Sequence, residues 1–184
     1  MRKRLFISIA IAALIGSGCA TKDPSAAAQR RSLDAQADAA LSRLSAKVPG
    51  SAELVAKARG VLVFPAVMTA GLVVGASWGE GVLRSDGSTA GYYSTGGASV
   101  GVLAGADSKA VYVLFMTQEA LDRFRGGARW IAGADASVTI ARSGADASVD
   151  TQSGTHPVIA YVLANSGLLL DVSLDGAKIS KLDI

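Results

Sequence analysis

The chain has 184 residues, half of them hydrophobic, with 18 Lys and Arg against 15 Asp and Glu, and only one histidine and one cysteine. A single cysteine excludes an internal disulfide, and this histidine and cysteine count excludes the usual zinc sites. The basic excess resides in the first residues: Arg2, Lys3 and Arg4 lie in the N-terminal eighteen, which hold no acid, so the remainder carries fifteen of each sign. A balanced remainder gives no bulk attraction for nucleic acid, and no nucleic-acid partner is expected.

The N terminus, MRKRLFISIAIAALIGSGC, combines that basic start with an apolar run from Leu5 to Ile15 and small residues before Cys19. The run is shorter than the roughly 20 residues a spanning helix needs, so residues 1–18 read as an export signal. GSGC is similar to the lipobox of bacterial lipoprotein signals, which makes Cys19 the expected site of lipid attachment. Ala20, where an aspartate would retain such a protein at the inner membrane, points by the same likeness to the outer membrane, facing the periplasm or the surface. Residues 19–27 then form a lipidated tether. The eight residues from 20 to 27 reach at most roughly 30 Å, so a single domain over 28–184 is held close to the bilayer.

From Ser25 to Val48 the apolar positions Leu33, Ala37, Leu41, Leu44 and Val48 make one helical stripe, ended by Pro49-Gly50. Asp34 and Asp38 lie on one flank; Arg43 and Lys47 lie on the other, either as a solvated shoulder or facing lipid phosphates. A shorter helix is expected from Ser51 to Arg59. After Gly60 the period becomes extended. VLVFPAV reads as a bent or edge strand because of Pro65. A strand from Thr69 to Arg84 is followed by a hairpin turn at Ser85-Asp86-Gly87-Ser88. One or two strands lie in AGYYSTGGASVGVLAGA, and KAVYVLFMT (109–117) is apolar enough to be central.

Thr117 caps a short inserted helix ending at Gly126. Four strands are expected at 129–142, 145–151, 156–164 and 168–174, with a last one in AKISKLD. The repeated GADASV at 133–138 and 144–149 reads as two arms of a hairpin. The fold class is α+β: a mainly antiparallel β sandwich or barrel-like sheet, with N-terminal amphipathic helices and one short inserted helix.

Glycine recurs every fourth residue at 71, 75 and 79, and again at 97, 101 and 105. Residues four apart on a strand share a face, so each series leaves a bare stripe on which a backbone or a ligand can approach closely. Three occupants fit: a helix of the chain, the far side of a rolled sheet, or an acyl chain.

Three stretches carry a family likeness: KARGVLVFPAVMTAGLVVGASWGEGVLR (57–84), GYYSTGGASVGVLAGADSKAVYVLFMTQEALDRFR (91–125) and HPVIAYVLANSGLLLDVSLDGAKI (156–179). They resemble the SYLF domain over roughly residues 40–184. That resemblance implies a lipid-binding domain without enzymatic activity. In eukaryotic relatives phosphoinositide binding and actin association are attributed to the family, with an amphipathic N-terminal segment and basic residues implicated. The matching positions are Lys57 and Arg59, with Arg43 and Lys47 on the preceding helix. Membrane lipid is the expected partner, with an envelope protein or a second copy on the glycine-lined sheet as the alternative.

Catalytic chemistry finds little support. His156 stands alone before Pro157, with no G-x-S-x-G elbow and no P-loop, so no catalytic residue, metal or cofactor is expected. Asp107, Asp135, Asp146 and Asp150 lack calcium-loop spacing and read as turn residues. Trp78, Tyr92, Tyr93, Tyr112, Phe115, Phe124 and Trp130 read as core.

Overall fold

In a computed structural model, which describes residues 24–71, 74–100, 105–141, 156–164, 167–169 and 173–184, α1 runs from Pro24 to Lys47. Of the expected stripe, Leu33, Ala37, Leu44 and Val48 are buried and Leu41 is half-buried, with Ala40 buried beside them. Gly50, at φ 80°, takes the left-handed conformation that breaks the chain between α1 and α2 (Ser51–Lys57), which is two residues shorter than its sequence suggested. The signal segment and Cys19 lie outside the described residues.

The strands are β1 (Gly60–Gly71), β2 (Val74–Ser85), β3 (Ser88–Val100), β4 (Gly105–Phe115), β5 (Arg129–Ile131), β6 (Thr139–Ile140), β7 (Val158–Ala164), β8 (Gly167–Leu168) and β9 (Lys178–Lys181). They form one sheet in the order β5-β9-β3-β2-β1-β4-β7-β6, with β8 paired to β7. Among the described residues, the β6–β7 strand pair is parallel and the other strand pairs are antiparallel. The barrel-like form of the expectation therefore holds and the two-sheet sandwich does not. Asp86 (φ 51°) and Gly87 (φ 74°) turn β2 into β3 with two successive positive φ angles, as a two-residue hairpin of this hand requires.

The curl follows from chain length. A flat path of these eight strands would hold β5 and β6 roughly 33 Å apart, at about 4.8 Å per spacing. Ile131 and Thr139 are eight chain steps apart and span at most about 28 Å. The sheet must therefore roll into a half-barrel. The segment expected as one strand over 129–142 is instead two short strands on opposite edges, separated by a tight turn at Gly133–Asp135. The second GADASV and the strand expected at 145–151 lie outside the described residues.

Pro65 shapes the sheet more than its identity as a strand breaker suggests. β1 is central, between β2 and β4, not an edge. The register advances from Val63↔Val82 to Ala66↔Glu80, so β1 gains one residue on its partner, and the same slip occurs against β4. This bulge lets proline sit inside a central strand. It also reverses the alternation. Leu62 and Phe64 face the barrel interior before it, and Val67 faces the interior after it.

The long strand expected over Thr69–Arg84 is the end of β1 and the whole of β2. Gly71 pairs with Gly75 on one side and Gly105 on the other, so these glycines lie abreast across three strands. Farther along, Gly79 and Gly81 lie against the bulge. A Cβ on Gly81 would meet Phe64 Cδ1 and the Val63 carbonyl oxygen, each at 2.5 Å. The close approach is made by the chain's own neighbouring strand. Gly101 lies outside the described residues.

Two apolar clusters result. Outside the sheet, α1 and α2 cover Val61, Val63, Val82, Tyr112 and Leu114. Inside, Phe115, Phe124 and Trp130 pack with centroids 4.7–6.3 Å apart, and Tyr93 lies 4.8 Å from Phe124. Phe124 and Leu121 belong to α3 (Gln118–Gly126), which closes one end of the half-barrel. Its N-cap is Thr117, whose hydroxyl accepts a bond from Ala120 N at 3.2 Å. Trp78 departs from the expected core: it lies outside, 52% exposed. Trp78 shares the outer face of β2 with Val82, four residues away, but lies beyond the part that α1 covers.

Candidate functional site

Lys57 ends α2, and Arg59 follows two residues later in the link to β1. The link is fixed at both backbone groups of Arg59. Its N–H donates to Phe115 O at 2.8 Å, and its carbonyl accepts from the Ser85 hydroxyl at 3.0 Å. Both side chains are exposed and line a groove of about 420 Å³ between α2 and the β2–β3 turn. Its floor includes Leu41, Val55, Ala58 and Val61. Asp86 contributes one negative charge to the rim, and Arg84 closes one side.

Arg84 already has partners. Its guanidinium meets Asp34 at 3.2 Å and Asp38 at 2.7 Å, and it also donates to Thr89. Asp34 accepts further bonds from the Thr89 hydroxyl at 2.8 Å and the Tyr92 hydroxyl at 2.9 Å. Burial and that bond to a carboxylate raise the Tyr92 pKa. The acidic flank of α1 is thus a clamp onto β2 and β3. By contrast, Lys57 and Arg59 have no ion pair among the described residues.

The structure brings together two of the four basic residues singled out in the sequence. Arg43 and Lys47 are exposed on α1 and do not line the groove. Arg43 lies beside Tyr112, whose hydroxyl donates to Ala40 O at 2.9 Å. Burial raises the Tyr112 pKa, partly offset by Arg43. Arg84 was not anticipated, since nothing in the sequence shows that Asp34 and Asp38 turn toward β2.

His156 is half-buried just before β7. Among the described residues no group of three or more His, Cys, Asp or Glu gathers as metal ligands. Asp135 accepts a bond from Ile131 N at 2.6 Å, as a turn aspartate does, whereas Asp107, expected in a turn, lies within β4 opposite Thr69 and accepts from its neighbour Ser108 N at 2.8 Å. Asp146 and Asp150 lie outside the described residues.

A curled antiparallel half-barrel, clamped by an N-terminal helix and bearing a basic-edged groove, defines an α+β domain of binding type. Residues 96–183, a little under half of the chain, match the family model described as Ysc84, Las17-binding protein actin regulator, which is consistent with the SYLF-type likeness of the sequence. No curated protein matches the chain.

Proposed function

We propose that this is a non-enzymatic lipid-binding lipoprotein of the bacterial envelope, tethered by an acylated Cys19 and taking anionic headgroups at the Lys57–Arg59 groove. The observation that carries it is the placement of two cations, without ion pairs among the described residues, over an apolar floor, on a backbone pinned to two strands. Such a groove suits a phosphate at its rim and the first carbons of a chain beneath. The signal pattern favours the outer membrane, facing the periplasm or the surface. The family description speaks of binding Las17 and of actin regulation, properties of the protein it describes; here it supports a binding role over a catalytic one. A tether of a few residues gives the domain an effective lipid concentration in the millimolar range, so weak intrinsic affinity suffices.

Vesicle sedimentation of the Cys19→Ser chain tests this reading. Each cation near an anionic surface contributes about 1 kcal/mol, so Lys57→Gln/Arg59→Gln lowers partitioning roughly 30-fold at low salt. Absence of binding to any anionic vesicle leaves only the anchor.

The exposure of Trp78 favours a second reading, a structural lipoprotein with a protein partner or self-association. The glycine-lined face first considered for that contact is turned inward at Gly79 and Gly81, so the surface in question is the outer one. A chain that remains monomeric at all concentrations, with no cross-linked envelope protein, rules this reading out.

A further inference from the structure

The interior of the half-barrel holds a second concavity, of about 110 Å³, away from the groove. The strand register builds it in rows. One row crosses Asp107, Thr69, Ser77 and Gly97 on β4, β1, β2 and β3. The next crosses Lys109, Val67, Gly79 and Thr95, and below it the floor is Val111, Val113, Trp130 and Ile179, all buried. The space is amphipathic, with hydroxyls, the Lys109 ammonium and the Asp175 carboxylate toward the mouth, Asp107 at the end of the first row, and aliphatic and indole surface at the bottom. Gly97 keeps it open, because a Cβ there would lie 3.3 Å from Ser77 Oγ.

Two polar groups on this lining lack partners. Thr69 is only 6% exposed, and its hydroxyl makes no hydrogen bond among the described residues. A buried hydroxyl in that state is a cost unless something meets it. Lys109 lines the same space and has no ion pair among the described residues. Asp175, at the exposed rim, instead accepts a bond from the Ser173 hydroxyl at 2.9 Å.

We infer that this cavity binds the end of an alkyl chain that carries an anionic head, carboxylate or phosphate. The head accepts hydrogen bonds from Lys109 and Thr69, and the chain lies on Val67, Val111 and Trp130. The volume is somewhat below the roughly 150 Å³ of an engineered cavity that takes benzene, so it suits a chain end and not a whole lipid. The site is separate from the Lys57–Arg59 groove and does not depend on the anchor.

Trp130 is the reporter. In the full chain carrying Cys19→Ser and Trp78→Phe it is the sole tryptophan. Octanoate and octyl phosphate, added without vesicles and below micelle formation, are expected to change its emission saturably; the tighter of the two identifies the head. Octanol, which keeps the chain and lacks the charge, binds more weakly. Lys109→Gln weakens the anions about tenfold or more and leaves octanol unchanged, because a charge-assisted bond is lost. Gly97→Val, which fills the mouth, weakens all three. Circular dichroism confirms that each variant is folded; Lys109 is half-exposed, so its variant keeps the test informative if Gly97→Val does not fold. No saturable emission change with either anion, or equal affinity in wild type and Lys109→Gln, overturns the inference. Vesicle sedimentation is read separately, so failure here and failure at the groove are distinguishable.

Discussion

Replacing Gly81 with alanine is the sharpest test of the bulge at Pro65. The added Cβ would lie 2.5 Å from the Val63 carbonyl oxygen, 2.5 Å from Phe64 Cδ1 and 2.8 Å from Phe64 Cε1. Neither neighbour yields cheaply: one is backbone inside a three-strand ladder, and the other is an aromatic ring 1% exposed. Overpacking of this kind costs about 1–3 kcal/mol. Alanine recovers about 0.4–1 kcal/mol by restricting the unfolded chain. The balance is a loss of roughly 1–2 kcal/mol, which lowers Tm by about 2–8 °C for a domain of this size. Gly126→Ala is the matched control, since nothing lies within 4 Å of its Cβ, and it is expected to gain a few tenths of a kcal/mol. Thermal melts and urea titrations of both variants supply the comparison. If Gly81→Ala is as stable as wild type, β1 does not press on β2 at the bulge and the explanation of that glycine is wrong.

Arg84→Met removes the clamp between α1 and the β2–β3 hairpin while keeping much of its aliphatic packing. It is expected to cost about 1–3 kcal/mol, because Asp34 and Asp38 lose their cation, and urea midpoints measure it. Tyr92, Tyr93, Tyr112 and Tyr161 all have raised pKa values, chiefly from burial. The unfolded chain therefore releases phenolic protons first, so stability holds up to about pH 10 and falls as the pH rises through the folded-state values. Absorbance titration at alkaline pH in native and denaturing buffer checks the order; coincident curves contradict it. Tyr112→Phe forfeits the bond to Ala40 O and costs about 1 kcal/mol in the same urea assay. Acrylamide quenches a tryptophan signal that disappears in Trp78→Phe and persists in Trp130→Phe, because only Trp78 is exposed.

The helices were legible because their signals are local. Leu33, Ala37, Leu44 and Val48 share a face in any helix, and Thr117 precedes α3 whatever surrounds it. The strands at 109–115 and 158–164 stood out because both of their faces are apolar. What the sequence withheld was phase and partner. Pro65 announced a bend, but nothing near it says that the strand continues through with one residue gained, and the inward positions of Val67 and Thr69 follow only from that gain. Trp78 was misplaced because no local pattern says how far α1 reaches along the outer face it shares with Val82. β5 and β6 belong to opposite edges of one sheet, a relation that no local pattern encodes. Of the site, Lys57 and Arg59 were visible as basic residues, while their shared groove and the prior engagement of Arg84 required the register.

The bulge gives the length of β1 a meaning that its composition lacks. Removing one residue at Pro65 would keep the hydrophobicity of the segment almost unchanged, yet it would exchange inside for outside from Ala66 to Gly71. Met68 and Ala70 would then enter the barrel, and Thr69 would face solvent. Insertions and deletions are ordinarily tolerated at turns and resisted in strands; here a single strand position decides which half of the following segment is core.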